Sequence, residues 1–115
     1  MNIQIFGTKN DAGTRKALRF FKERRVAVHF VDLKQKAASP RELDRFVRRY
    51  GVGSLVDRDS KRFRSLGLQA AAYSDRRWLE VLADEPMILS QPLVRRQNDV
   101  TVGVAEAEWK VWLSD

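Results

Sequence analysis

The sequence predicts an α/β domain with a small mixed sheet. Three features indicate it: a strand–helix–strand segment at the N-terminus, a helical block in the middle, and a pair of strands followed by a helix at the C-terminus. The chain has 115 residues, a length that builds one hydrophobic core. The expected order is therefore βαβ, a group of helices and ββα, within a single domain.

The N-terminal segment changes from strand to helix and back to strand. Residues 3–6 are typical of a short strand, and residues 26–33 contain the next run of strand-forming side chains. The helix between them carries three apolar residues on one face, namely Ala17, Leu18 and Phe21. A βαβ segment of this length predicts that the two strands are parallel.

The start of the helical block has the clearest local signal in the chain. Ser39 is a preferred N-cap, Pro40 suits the first helical position, and Glu42 completes a capping box. Gly51 follows as the expected stop. The apolar residues between cap and stop recur at helical spacing: Leu43, Phe46, Val47 and Tyr50.

The remainder of the chain supplies one more helix, a hairpin and a final helix. We expect a helix that opens at Ser74 and ends before Pro86. Residues 92–94 and 100–102 flank a polar turn and predict a β-hairpin. The tryptophans lie on predicted helix faces and are expected in the core or in an interface: Trp78, Trp109 and Trp112.

Composition limits the function classes. The hydrophobic fraction of 43% is typical of a folded chain. Lys and Arg number 22 against 15 Asp and Glu, which gives a formal charge of +7. This balance favours an acidic protein partner or nucleic acid. The arginines are scattered among carboxylates rather than gathered in one stripe, so nucleic acid is the less favoured partner.

Several kinds of chemistry are excluded by missing residue types. The chain has no cysteine, so it has no disulfide, thiolate metal site or thiol nucleophile. Its single histidine, His29, cannot form a histidine metal cluster, and we expect it to be packed or hydrogen-bonded within a strand. The sequence suggests no metal and no cofactor. It has neither a targeting segment nor a run long enough to span a membrane, so we expect a cytoplasmic protein without a membrane partner.

Four stretches of the sequence carry a resemblance to a known family: residues 5–10 with 15–17, residues 57–63, residues 85–89, and residues 91–94 with 102–103. In this order and spacing they resemble the ArsC/Spx family, which contains arsenate reductases and RNA-polymerase-binding regulators. The resemblance implies one ArsC/Spx-like domain over residues 1–115. Its fold would be thioredoxin-like, with a core at about 1–38 and 86–115 and a helical insertion at about 39–85.

The resemblance places Asp11 where the family has its redox cysteine, four residues before the matching Arg15. Two roles are open for Asp11: an N-cap of the following helix, or a general base. Arg15 either binds an anion beside the helix start or belongs to a solvated face with Arg19 and Lys22.

Two further positions depart from the family's reductases. An arginine of the reductases is replaced by Asp57, with Arg58 beside it as a stand-in. Their Arg-Pro pair reads Gln91-Pro92, and the resemblance implies a cis peptide bond before Pro92. Arg15, Arg58, Gln91 and Pro92 therefore outline a vestigial pocket, which has lost its nucleophile and two charged helpers.

Three functions follow from this combination. The first is a non-catalytic binding or regulatory module for an acidic protein partner such as the transcription machinery, and by resemblance RNA polymerase. The second is an arsenate reductase or glutaredoxin-type relative that uses an external thiol such as glutathione. The third is a basic protein associated with nucleic acid. The candidate partner-binding residues lie on the capped helix and at its end: Arg45, Arg48, Arg49, Tyr50 and Gly51.

Overall fold

The computed structural model describes residues 2–114, so the two terminal positions of the predicted 1–115 domain lie outside the described residues. The chain divides into two compact units. Residues up to Asp32 together with those from Gln91 onward form the first unit, and Leu33–Ser90 forms the second.

The first unit contains a four-stranded mixed sheet, ordered β2-β1-β3-β4. Strand β1 pairs in parallel with β2, as the βαβ pattern predicts, while β3 is antiparallel to both β1 and β4. The hairpin expected near the C-terminus is therefore confirmed as β3–β4. The strands are β1 (Ile3–Gly7), β2 (Val28–Asp32), β3 (Leu93–Arg96) and β4 (Asp99–Val102).

Helices connect and follow these strands. They are α1 (Ala12–Glu23), α2 (Pro40–Tyr50), α3 (Lys61–Ser65), α4 (Asp75–Asp84) and α5 (Glu106–Ser114). Short turns of 3-10 helix lie at Val52–Leu55, Leu68–Ala70 and Pro86–Ile88.

The core of the first unit lies between one face of the sheet and the two helices α1 and α5. Ile3 and Ile5 of β1 pack there with Phe21 and Trp109, all of them almost completely buried. The indole of Trp109 donates a hydrogen bond to Thr101 Oγ1 at 2.9 Å, so its one polar atom is satisfied inside the core. Trp109 and Trp112 are thus core residues, as predicted.

The first helix of the second unit, α2, begins with the predicted capping box. Ser39 Oγ accepts from the backbone N–H of Glu42 at 3.1 Å, and Glu42 Oε1 accepts from the N–H of Ser39 at 3.0 Å. Gly51 ends α2 with φ of 79°, a conformation that glycine adopts without a Cβ clash. Leu43 and Phe46 are fully buried, and α2 packs against α4, whose Trp78 is also buried.

Strand β2 begins two residues later than predicted, at Val28 rather than Val26. The backbone N–H of Val26 instead donates to the carbonyl of Phe21 and closes the end of α1. Arg25 occupies the left-handed region there with φ of 58°. Phe20 joins the buried face of α1, while Leu18 is only partly buried.

His29 was expected to be packed or hydrogen-bonded within a strand; it does lie in a strand, but it is not packed. It lies in β2 with its side chain exposed. Strand β2 is at the edge of the sheet, and only one of its faces is covered by α1 and α5. No helix within residues 2–114 is long and apolar enough to cross a membrane.

Candidate functional site

The loop between β1 and α1 is built around the carboxylate of Asp11. Its backbone is extended, with φ of −83° and ψ of 127°, as at an N-cap. Asp11 Oδ2 accepts from the backbone N–H of Thr14 at 2.8 Å and from the Thr14 hydroxyl at 3.0 Å. Asp11 is therefore the N-cap of α1. Sequence reasoning missed Thr14, although its place three residues after a capping aspartate was a usable signal.

The side chain of Gln91 ties the same loop to the segment before β3. Its Oε1 accepts from the Thr8 backbone N–H at 2.8 Å, from the Thr8 hydroxyl at 3.2 Å and from the Thr14 hydroxyl at 3.3 Å. Both threonines are buried. Thr8 and Thr14 are 83 and 77 positions away from Gln91 in the sequence. Contacts over such distances leave no local pattern, so this role of Gln91 was not predicted.

Gly13 allows the start of α1 to lie directly against Pro92. A Cβ at Gly13 would lie 3.2 Å from Pro92 Cδ, 3.2 Å from Asp11 Oδ2 and 3.3 Å from the carbonyl oxygen of Gln91. The Gln91–Pro92 peptide bond is cis, as the resemblance implies. Asp11, Gln91 and Pro92 therefore meet around one small backbone position.

This arrangement is rich in acceptors. The helix start offers N–H donors and a positive potential that could hold an oxyanion, but Asp11 uses them itself and adds a negative charge. The Thr14 hydroxyl has one hydrogen, which Asp11 Oδ2 and Gln91 Oε1 share. Among the described residues, no buried side-chain nitrogen or oxygen lacks a hydrogen-bond partner. These groups hold their own loop together, and no thiol is among them.

Arg15 stabilises this loop from outside. The side chain is exposed, and its Nη1 donates to the carbonyl oxygen of Lys9 at 2.9 Å. Arg19, one turn along the same helix, lies 3.9 Å from Glu23 in an exposed pair. The α1 face with Arg15 and Arg19 is thus solvated, and Arg15 also braces the loop.

The other charged position of the vestigial pocket, Arg58, belongs to the second unit. Its guanidinium lies over two aromatic rings, 5.6 Å from the centroid of Phe63 and 5.7 Å from that of Trp78. Asp57 Oδ1 accepts from the backbone N–H of Asp59 at 3.0 Å, which makes it a turn residue.

A bidentate ion pair in the second unit joins two of the stretches that carry the family resemblance, residues 57–63 and residues 85–89. Arg62 Nε and Nη2 donate to the two carboxylate oxygens of Glu85, each at 2.9 Å. The hydrogen bonds from Arg62 lower the pKa of Glu85 below its ordinary value. This geometry is the bidentate one in which arginine binds carboxylates most specifically.

The candidate partner-binding residues lie along α2 and at its end. Arg48 is 78% exposed, and its Nε lies 2.9 Å from Asp44 Oδ2. The guanidinium of Arg49 lies over the ring of Tyr50, 4.8 Å from its centroid. Tyr50 and Arg45 are half-buried, and Gly51 is exposed. In the part of the chain that the structure describes, no three His, Cys, Asp or Glu side chains gather closely enough to hold a metal ion.

Comparison with known proteins identifies a family model and several solved structures that this chain resembles. The ArsC family model matches residues 6–112. An ArsC family related protein from Bacteroides fragilis is 17% identical, with a TM-score of 0.85 over 96% of this chain and 97% of the other. No curated protein sequence matches the chain.

Two other solved structures have the same fold. An arsenate reductase from Vibrio cholerae is 18% identical, with a TM-score of 0.78 over 89% of each chain. An arsenate reductase related protein from Brucella melitensis is 22% identical, with a TM-score of 0.69 over 100% of this chain and 97% of the other. These likenesses establish the predicted thioredoxin-like α/β fold.

Proposed function

The chain belongs to the ArsC family, and we propose that it is a member without thiol chemistry, which works by binding an acidic protein partner. The observation that carries this proposal is the hydrogen bonding of Asp11. At the position that the resemblance assigns to the redox cysteine, the carboxylate caps α1 through Thr14. With no cysteine in the chain, no mixed disulfide can form on it.

The surroundings of Asp11 support the same proposal. Gln91 stands where the reductases have an arginine, and its Oε1 is an acceptor for Thr8 and Thr14. An oxyanion substrate needs donors, whereas Asp11 and Gln91 direct acceptors into this loop. The alternative reaction, in which glutathione supplies the thiol, would therefore lack the donor groups that bind its oxyanion substrate.

The proposed contact with the acidic partner is the basic face of α2, which carries Arg45, Arg48 and Arg49. Arg48 is largely exposed, and its pair with Asp44 lies in solvent, where such pairs are weak and screened by salt. Arg49 and Tyr50 form a cation–aromatic pair at the end of the helix, a combination that is frequent at the energetic centres of interfaces. Positive charge here would speed association with an acidic surface, and Tyr50 would contribute apolar contact area.

We infer that the partner belongs to the transcription machinery, with RNA polymerase as the first protein to test. This inference rests on the resemblance to the family's regulators, which meet RNA polymerase through the corresponding region. We propose a cytoplasmic location on the same ground, because that partner works there. The net charge of +7 supports an acidic contact surface.

The experiment is a binding titration of the purified chain with RNA polymerase at two salt concentrations. Charge reversal with Arg48→Glu and Arg49→Glu should weaken binding at least about tenfold, and higher salt should weaken wild-type binding. The matched control is Arg76→Glu, at an arginine that is 92% exposed on α4. It should bind like the wild type, and thermal melts should show all variants folded.

Two results would contradict the proposal. Equal loss of binding in the Arg76→Glu control would indicate attraction through net charge alone. Tight binding to duplex DNA in physiological salt, with log affinity falling steeply and linearly with log salt and no binding to the polymerase, would favour the nucleic-acid function instead.

A further inference from the structure

A second polar site lies in the first unit, on the sheet. It is a cavity of about 680 Å³, which is within the usual range of small-molecule sites. Its lining includes Gln4 of β1, His29 of β2 and Arg95 of β3. None of these residues belongs to the Asp11 loop.

These three side chains form one row across the sheet. Gln4 is the registered partner of His29 on one side and of Arg95 on the other. Directly paired residues point to the same face. Ile3 and Ile5, the neighbours of Gln4 in β1, enter the core beneath α1 and α5. The row therefore lies on the face of the sheet that these helices leave open.

The lining of the cavity favours anions. Arg95 supplies a permanent positive charge, His29 an imidazole, and Gln4 an amide that can donate. Asn2 and Gln97 add two further amides at the rim. The described lining residues include no carboxylate. The carbonyl oxygen of Gln97 accepts a hydrogen bond from Arg95 Nε, which fixes one edge of the guanidinium over the turn.

We propose that this cavity binds a small molecule with two or more phosphate or carboxylate groups. Neighbouring strands are about 4.8 Å apart, so the backbones of His29 and Arg95 stand about 10 Å apart with Gln4 between them. His29 and Arg95, on the two flanks of the row, are far enough apart to contact two anionic groups of one molecule, with Gln4 between them. A single chloride or sulfate ion would engage only part of this row.

The site is separate from the loop that contains Asp11. Asn2 and Gln4 are at the N-terminal end of β1, whereas Thr8 and Asp11 follow its C-terminal end. The proposal stands whether or not α2 binds a protein. It gives the chain a means of responding to a metabolite, independent of its partner.

The test is an NMR titration of the full chain with pyrophosphate and, separately, with citrate, at constant ionic strength. His29 is the only histidine, so its ring signals report on the cavity without ambiguity. We expect saturable shifts of the His29 ring and of the backbone amides of Gln4 and Ala27 with at least one of the two probes. Pyrophosphate and citrate distinguish a phosphate site from a carboxylate site.

Two variants probe the row, and one serves as control. Arg95→Gln should weaken binding by on the order of tenfold, because it removes a charge-assisted hydrogen bond. His29→Gln keeps a polar side chain at an exposed position and should weaken binding less, while the Gln4 and Ala27 amides still report on it. Arg76→Gln removes the same charge from the other unit and should leave binding unchanged.

The proposal fails if the shifts grow linearly without saturation, or if they spread equally over the arginines of α2 and α4. It also fails if Arg76→Gln weakens binding as much as Arg95→Gln. Those results would show that the anions are attracted non-specifically by the positive charge of the protein and do not occupy a binding site. Arg95 donates a hydrogen bond to the turn, so the Arg95→Gln variant could unfold. In that case His29→Gln becomes the deciding variant. If His29→Gln then binds the probe with wild-type affinity, the proposal is overturned.

Discussion

One carboxylate oxygen of Asp11 accepts both the backbone N–H and the hydroxyl of Thr14, at 2.8 and 3.0 Å. Through this pair, a position that the resemblance assigns to a reactive thiol has become part of the helix start. The interaction is local, since the two residues are three positions apart, and it depends on no ligand. Changes to this loop should therefore alter the free energy of unfolding.

Replacing Asp11 by alanine should lower the free energy of unfolding by about 1 kcal/mol and leave the fold intact, because the N–H of Thr14 loses its cap. A urea melt at neutral pH measures the change. The control is Asn10→Ala, at an exposed neighbour in the same loop, which should change stability by less than about 0.5 kcal/mol. A higher midpoint for Asp11→Ala at an unchanged slope would instead mean that the carboxylate is strained for a functional reason.

Replacing Gln91 by leucine should cost more, about 1–3 kcal/mol, because the buried N–H and hydroxyl of Thr8 lose their acceptor. The same urea melt checks this. Gln97→Leu, at an exposed turn position, is the matched control and should have little effect. A Gln91→Leu protein as stable as the wild type would show that Oε1 does not hold the loop.

Replacing Arg25 by glycine should stabilise the chain. Arg25 has φ of 58°, a conformation that costs a side-chain-bearing residue about 1–2 kcal/mol. The greater backbone entropy of glycine in the unfolded chain offsets part of this gain, so we expect about 0.5 kcal/mol. Lys22→Gly in the last turn of α1 is the control and should destabilise by about 1 kcal/mol. A lower thermal midpoint for Arg25→Gly would contradict the prediction.

Glu85 should contribute stability that depends on pH. Its hydrogen bonds from Arg62 lower its pKa in the folded state, so the folded chain binds a proton at this site less readily than the unfolded chain does. The contribution is fully present above the unfolded carboxyl pKa of about 4.3 and is lost as pH falls through the lowered folded value.

The measurement is the difference in unfolding free energy between wild type and Glu85→Gln, from urea melts at pH 7 down to pH 3. The difference should shrink as the pH falls below about 4. Asp84→Asn, at the exposed neighbouring carboxylate, serves as control for the general loss of a negative charge. A difference that grows towards acid would have the wrong sign for this ion pair.

Much of the fold was predictable because its signals are local. The capping box of Ser39 and Glu42 and the stop at Gly51 are hydrogen-bond and backbone patterns within one short segment. The parallel pairing of β1 and β2 followed from the length of the βαβ segment alone.

What the sequence did not reveal depends on contacts between distant residues. In the sequence, Gln91 is only a replacement for an arginine of the reductases. Its role as an acceptor depends on Thr8 and Thr14, which lie near it only in the folded chain. The start of β2 was predicted too early because Val26 is apolar and fits the strand pattern. Its backbone N–H in fact donates to Phe21 at the end of α1, a contact that hydrophobic periodicity does not detect. His29 was misjudged because its side chain lies on the face of β2 that α1 and α5 do not cover, and which face of a strand the helices cover is a tertiary property.

The measurement that tests the central claim most directly is arsenate reduction by the purified chain, with glutathione and glutaredoxin supplied. We predict no turnover above the reaction without protein, because Asp11 caps a helix and the chain contains no thiol. Asp11→Cys should also remain far below an active arsenate reductase of the family, since Asp57 and Gln91 still stand where the reductases have arginines. Arsenate turnover by the wild-type chain clearly above the control would contradict the account.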